Sequence, residues 1–180
     1  MNRRQVLRLA TAMVAELLLC GHTPYGQWVV YRKKHLLIGC HRADPATYDL
    51  AKRVVAVLAE HLPAAKSRVA RAPDAERLAS LLGTAQLDVA TLSPPDAATM
   101  LHGTGRFEPY GAIALRVLAP VGGRLLVARA DFPEQHAWLV TRALAGSDLL
   151  PALARSSELG IPWHPGSLAY LRGRPQPDDS

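Results

Sequence analysis

Aromatic residues, cysteines and long apolar runs are all scarce in this sequence. Aromatic residues make up 6% of the 180 residues, and the chain has two cysteines, Cys20 and Cys40. Two cysteines are too few for a fold held by several disulfides or by a structural zinc ion. No stretch reaches the roughly 20 uninterrupted apolar residues that a membrane-spanning helix needs. We therefore expect a soluble protein body that contacts a membrane only through its N-terminal segment.

The net charge of +6 is concentrated near the start of the chain. Residues 1–20 hold three arginines against one glutamate, and residues 32–34 read Arg-Lys-Lys. A nucleic-acid-binding protein is expected instead to spread its basic residues over a folded face, with aromatic side chains on which bases stack. The charge pattern and the low aromatic content therefore predict no nucleic-acid partner.

Motifs for catalysis and metal binding are also missing. The seven histidines form no HxxxH or HxxEH arrangement, and the sequence has neither a GxSxG elbow nor a phosphate loop that ends in Gly-Lys-Ser/Thr. Cys40 and His41 are adjacent, and adjacent side chains at the end of a strand point apart, so the two are not a nucleophile and its base. We predict a protein that is not an enzyme, with no catalytic residues, no metal site and no cofactor.

Residues 1–20 have the pattern of an export signal. Arg3 and Arg4 stand before an apolar run at a spacing that resembles a twin-arginine signal, and Glu16 lowers the hydrophobicity of that run, as suits this export route. The pattern predicts a periplasmic protein whose N-terminal segment is removed or is kept as an anchor. Lipidation at Cys20 and an ordinary amphipathic helix are the alternatives.

The remaining sequence alternates between strand and helix patterns. Residues 36–38 are a short apolar run ended by Gly39, and Asp44-Pro45 is typical of a helix start, with apolar residues at steps of three and four up to residue 62. Further strands are predicted at 68–72, 87–92, 112–118 and 124–129, and further helices at 74–83, 93–100 and 131–144. This order predicts an α/β fold, a single three-layer lobe with a mostly parallel sheet and helices on both faces. The lobe spans residues 36–174, between a connector at 21–35 and a frayed tail at 175–180.

Three segments carry a resemblance to a known family. Residues 36–96, which include ERLASLLGTAQLDVATLSPPD, look like lobe 1 of a type 2 periplasmic solute-binding protein, the TAXI-type receptor of TRAP transporters. RLLVARADFPEQHAWLVTRAL at 124–144 is similar to the late strand and helix of that family. GIPWHPGSLAYLR at 160–172 resembles its C-terminal His-Pro-Gly segment. The resemblance extends over residues 36–172.

The resemblance implies a binding function, with one departure from the family. A complete receptor closes two lobes around its ligand. In this chain, the sequence that resembles the first lobe is followed directly by sequence that resembles the family's late strand and helix. The change falls between Tyr110 and Arg124, and no second lobe is predicted. We therefore expect one lobe that binds a small organic anion weakly or hands it on to a membrane transporter. The alternative is an interaction or accessory module for an envelope-bound redox enzyme or sensor, with an envelope protein as its partner.

The candidate ligand-binding residues follow from the rule that open α/β sheets bind ligands beyond the C-terminal ends of their parallel strands. They come from the loops after the first and third strands: Gly39, Cys40, His41, Arg42, Tyr48, Ser93 and Asp96. Purely structural roles are open for several of them, since Ser93 is also a typical helix cap and Tyr48 a typical packed helix residue. Asp44 places a negative charge where an anion would sit, which His41 and Arg42 could offset. His164, between Trp163 and Pro165, is interpreted as a structural turn residue.

Overall fold

The computed structural model describes residues 34–149 and 160–177, and these fold into ten strands and α-helices. In chain order they are β1 (Leu37–His41), α1 (Pro45–His61), β2 (Arg68–Ala72), α2 (Ala75–Gly83), β3 (Val89–Leu92), α3 (Pro94–His102), β4 (Leu115–Val121), β5 (Arg124–Arg129), α4 (Glu134–Ala145) and α5 (Pro165–Leu171). Two short 3-10 helices lie at Pro63–Ala65 and Gly105–Tyr110. The predicted export signal, the connector up to residue 33 and the last three residues of the predicted tail lie outside the described residues.

The five strands form one sheet in the order β2-β1-β3-β5-β4. β1 runs parallel to β2 on one side and to β3 on the other, where Ile38 is paired with Val89. β5 is antiparallel to both β3 and β4. Four of the five strands therefore point the same way, and the predicted mixed α/β fold with a mostly parallel sheet is confirmed.

Helices cover both faces of this sheet. On one face, α1 and α4 pack over a core that includes Ile38, Leu58, Val89, Leu126 and Leu144. On the other face, α2, α3 and the second 3-10 helix enclose a core that includes Leu78, Leu92, Met100, Phe107 and Val127. Because adjacent strand residues face opposite sides, both faces of the central strands are apolar and buried. Within the described residues, no helix is long and apolar enough to cross a membrane.

Three strands differ from their predicted bounds, and β3 begins at Val89, two residues after its predicted start. The prediction ended the first strand at Gly39, whereas β1 continues to His41. A Cβ atom at Gly39 would stand 2.7 Å from Leu78 Cδ1, so glycine at this position lets α2 pack close to the strand and does not end it. β4 begins and ends three residues later than the predicted strand and includes Pro120. A proline is tolerated there because β4 is an edge strand, where one missing N–H donor costs little.

The outer edge of β4 is covered by the segment that precedes α5. The Val117 N–H donates to the Pro162 carbonyl (2.9 Å), and the His164 N–H donates to the Val117 carbonyl (2.8 Å). At its other end β4 turns into β5 through Gly122 and Gly123, both at positive φ (55° and 74°). Two consecutive positive φ values fit a two-residue hairpin turn, which explains the glycine pair.

The His-Pro-Gly segment has a structural role, as the interpretation of His164 predicts. The buried imidazole accepts the Gly166 N–H at Nδ1 (3.3 Å), and its Nε2 donates to the Phe132 carbonyl (2.9 Å). A Cβ atom at Gly166 would overlap the Glu134 carbonyl oxygen. The segment thus fixes α5 tightly against the start of α4.

We expect Gly166→Ala to lower the free energy of unfolding by about 1–3 kcal/mol, because the added methyl group meets backbone that can move only by shifting α4 or α5. Gly146→Ala is the matched control. Its methyl group would stand 3.6 Å from the nearest atom, the Ala143 carbonyl oxygen, and Gly146 already has helical backbone angles. Urea unfolding measures both variants, and equal stabilities would contradict the close packing of α5 on α4.

Candidate functional site

The C-terminal ends of β1 and β3 meet at the point where the strand order reverses. From β1 the chain moves outward to β2 and then crosses back to β3 on the other side of β1. A reversal of this kind opens the crevice in which α/β sheets bind ligands. His41 ends β1, and Ser93 follows β3. Because β5 is antiparallel to β3, its first residue, Arg124, lies at the same edge. We call this side of the sheet the strand-end edge.

Two buried threonines fix the loop between β1 and α1. The Thr47 hydroxyl accepts the His41 N–H (3.4 Å) and lies 2.7 Å from the Asp44 carbonyl oxygen. The Thr91 hydroxyl, on β3, lies 2.9 Å from the Thr47 carbonyl oxygen and 3.1 Å from that of Gly39. Both side chains are fully buried. The backbone of the loop is therefore held to two strands before any ligand arrives.

An ion pair attaches the same loop to β5. Arg124 donates from Nε to Asp44 Oδ2 (2.9 Å) and from Nη2 to Asp44 Oδ1 (3.3 Å), while Asp44 Oδ1 also accepts the Ala46 N–H and so caps α1. Partial burial opposes the charge of Asp44, but the hydrogen bonds and the positive charge of Arg124 outweigh this effect and lower the pKa of the carboxyl group. Arg124 thus neutralises the negative charge that the sequence places near the predicted anion.

His41 is the unusual residue of the strand-end edge. It is 2% exposed, and neither Nδ1 nor Nε2 has a hydrogen-bond partner. By strand alternation its ring lies on the same face as Gly39, whose Cα faces Leu78 of α2. A buried polar group without a partner typically costs about 1–3 kcal/mol. A residue with this cost calls for an explanation beyond packing.

The structure brings only part of the predicted set together. Arg42 follows β1 and is exposed, and its N–H donates to the Ala72 carbonyl (3.0 Å). Ser93 caps α3 through a hydrogen bond from the Asp96 N–H (3.2 Å). The Asp96 side chain itself is paired with Arg106. His41, Arg42 and Ser93 therefore share the strand-end edge, but Ser93 and Asp96 already have structural partners.

Three residues of the predicted set, Gly39, Cys40 and Tyr48, lie apart from the site around His41. Gly39, Cys40 and His41 all lie in β1 and not in the following loop. Gly39 is a packing position beneath α2, and Cys40 is buried in the core under α1, on the face opposite to His41. Tyr48 lies on that opposite face as well, with Arg71 and Lys52 at 4.3 Å and 4.6 Å from its ring centroid. We therefore separate Gly39, Cys40 and Tyr48 from the site around His41.

The sequence interpretation did not single out Thr47, Thr91 or Arg124. The Gly-Gly hairpin could have indicated that Arg124 lies at the strand-end edge, because a hairpin returns its second strand to the edge where the first one ends. The choice of Asp44 as its partner depends on the strand order, which the sequence does not state. Among residues 34–149 and 160–177, no group of three or more His, Cys, Asp or Glu side chains could hold a metal ion.

Comparisons with known proteins leave the family open. No protein-family model and no curated protein matches the sequence. Three solved chains match, among them XAC2383 from Xanthomonas citri bound to chloride ion, with 23% identity and a TM-score of 0.31. The matched region covers 50% of this chain and 31% of that protein. The match thus spans about a third of the length of XAC2383.

We expect Asp44→Asn to lower the free energy of unfolding at neutral pH by about 1 kcal/mol, because asparagine can still cap α1 but cannot pair with Arg124 as an ion. A lowered pKa in the folded state stabilises the fold above the unfolded-state pKa of about 3.9, and this stabilisation is lost as the pH falls through the folded-state value. The difference between the two proteins should therefore disappear in acid. Asp49→Asn, which removes an exposed pair with Lys52, is the control and should change stability less. A difference that persists in acid would contradict the ion pair.

Burial raises the pKa of the Cys40 thiol to about 11, despite the nearby charge of Arg71, and Cys40 forms no disulfide. In a Cys20→Ser background, we expect the native protein to react with a disulfide reagent at mildly alkaline pH at least about 100-fold more slowly than the unfolded protein, because little thiolate is present. Absorbance of the released thiol measures the rate. Rapid stoichiometric labelling of the native protein would contradict the buried position of Cys40.

Proposed function

We propose that this chain is an exported, periplasmic binding domain, similar to the first lobe of a TAXI-type receptor, and not an enzyme. It holds a small organic anion at the strand-end edge and hands it on to a membrane transporter. The single observation that carries the proposal is the buried imidazole of His41, which has no partner at the point where the strand order reverses. An anionic oxygen is a suitable acceptor for a proton on either ring nitrogen.

The electrostatics of the strand-end edge support an anionic ligand. Arg124 compensates the charge of Asp44, and the exposed Arg42 adds a positive charge one residue after His41. The α2 and α3 helices begin directly after β2 and β3, so their N-termini lie at this edge and carry partial positive charge. Asp74 and Glu76 at the start of α2 and Asp96 at the start of α3 offset part of this positive charge. Arg42, which is exposed and adjacent to His41, is therefore the group that favours an anion.

The same geometry implies weak binding. At 2% exposure, the ring of His41 is reached only when covering side chains move aside, and that rearrangement subtracts from the binding energy. A lobe without a closing partner also leaves one side of the ligand in water. We therefore expect affinities in the millimolar to high micromolar range, typical of a site that transfers its ligand to another protein.

The alternative, an accessory module for an envelope-bound redox enzyme or sensor, would favour an exposed apolar face at the strand-end edge. Among residues 34–149 and 160–177, Tyr110 is the only exposed large hydrophobic side chain, and it lies near the opposite edge of the sheet. We therefore prefer solute binding.

Calorimetric and NMR titrations of the full chain with carboxylates, amino acids and oxyanions test the proposal. We expect at least one anion to shift the ring resonances of His41 with saturation at millimolar concentration. Absence of any saturable shift across the panel would count against an anion site at this edge.

A pair of histidine variants separates binding from folding. We expect His41→Leu to abolish anion binding while raising the free energy of unfolding by about 1 kcal/mol, because it removes two unpartnered buried nitrogens. His102→Leu, at an exposed position at the end of α3, should leave binding unchanged. If His41→Leu destabilises the protein, the imidazole has a structural partner and the argument from an unpartnered ring fails.

A further inference from the structure

A second concave site lies at the opposite edge of the sheet, away from His41. It is a cavity of about 360 Å³ between the end of α2, the start of β4 and the end of β5. Its lining includes Leu82, Ile113 and the neighbouring alanines, with Tyr110 and Asp131 among the larger polar side chains. The volume lies at the lower end of the range for small-molecule sites, and the wall combines apolar and polar surface in similar proportions.

The guanidinium of Arg129, which also lines this cavity, is already engaged. It donates from Nη1 to the Leu82 carbonyl (2.8 Å) and from Nε to Asp131 Oδ1 (2.8 Å), and its Nη2 is paired with Asp131 Oδ2. Asp88 lies 4.0 Å from Nε. An anionic ligand would have to displace Asp131 to reach this arginine. The site is therefore poorly suited to a carboxylate or a phosphate.

The charge around Arg129 favours a cation instead. One guanidinium faces two carboxylates, Asp131 and Asp88, which are 67% and 60% exposed and so leave oxygen lone pairs accessible. The hydrogen bonds from Arg129 lower the pKa of Asp131, so this carboxylate stays charged at neutral pH. Gly83 places the C-terminus of α2 in the cavity wall, and the last carbonyls of a helix carry partial negative charge.

Tyr110 supplies an aromatic surface at the same cavity. It ends the second 3-10 helix, and at 40% exposure its ring is partly open to solvent. A positive charge over an aromatic face is attracted by the ring. Tyr110 and Asp131 together therefore offer the two kinds of group that recognise an organic ammonium ion.

We propose that this cavity binds a small amphipathic amine, whose apolar body packs against Leu82 and Ile113 while its ammonium group pairs with Asp131 beside Tyr110. The proposal is independent of the anion site, because the two sites lie at opposite edges of the sheet and share no residue. It would give one lobe two sites of opposite charge preference.

Three probes of similar size test the proposal on the full chain: 2-phenylethylammonium, 3-phenylpropanoate and 2-phenylethanol. We expect the amine to shift the amide resonances of Gly83, Ala114 and Asp131 in a saturable manner and to bind about tenfold more tightly than either other probe. Equal affinity for the amine and the alcohol would overturn the charge preference. No saturable shift at these amides would overturn the site.

Substitutions then identify the groups that recognise the amine. We expect Asp131→Asn to weaken binding of 2-phenylethylammonium about tenfold, and Tyr110→Leu to weaken it several-fold, while Tyr110→Phe retains most of it because the ring remains. Asp49→Asn, which removes an exposed carboxylate on α1, and His41→Leu should leave the affinity for 2-phenylethylammonium unchanged. Because Tyr110 is a surface residue, its variants test the site even if Asp131→Asn does not fold. Unchanged affinity in Tyr110→Leu would overturn the proposed position of the ammonium group.

Discussion

The arrangement of residues at the strand-end edge depends on the hydrogen bonds of the buried Thr91 hydroxyl. It lies within hydrogen-bond distance of the Gly39 and Thr47 carbonyl oxygens, and a three-centre bond can serve both. β3 thereby holds β1 and the start of α1 together, at the place where parallel strands from distant parts of the chain meet. Parallel pairing lacks the short turn that fixes a hairpin, so its register has to come from contacts of this kind. Asp44, Thr47 and His41 have defined positions because this register is fixed.

The sequence was a good guide to the elements that local chemistry determines. Asp44, Asp74 and Ser93 were all placed at helix starts, and each accepts a backbone N–H there. The predicted bounds of β5 agree with the structure, since a glycine pair and a following polar turn enclose it. The predicted mostly parallel sheet is confirmed as well, since Ile38 of β1 pairs with Val89 of β3 in parallel strands. Beyond Tyr110, β4 and β5 join the same sheet, so that the described residues form one lobe.

Predictions from the sequence failed where a distant neighbour decides the outcome. Gly39 has the pattern of a strand end, but the close approach of Leu78 makes it an interior strand position. The same difficulty affects the site, because a residue's position along the chain does not reveal which face of the sheet it occupies. Cys40 and His41 are adjacent in sequence, yet one lies beneath α1 and the other on the side of α2. The missing partners of His41 and the pairing of Asp44 with Arg124 are visible only once the strand order is known.

The covered edge of β4 has a consequence for the order of assembly. Val117 exchanges two backbone hydrogen bonds with Pro162 and His164, residues that follow β4 by about forty positions. Until that late segment docks, the outer N–H and C=O groups of β4 are open to any extended chain nearby. During synthesis, a chain that still lacks the segment before α5 would therefore expose an unpaired strand edge, which that segment later covers.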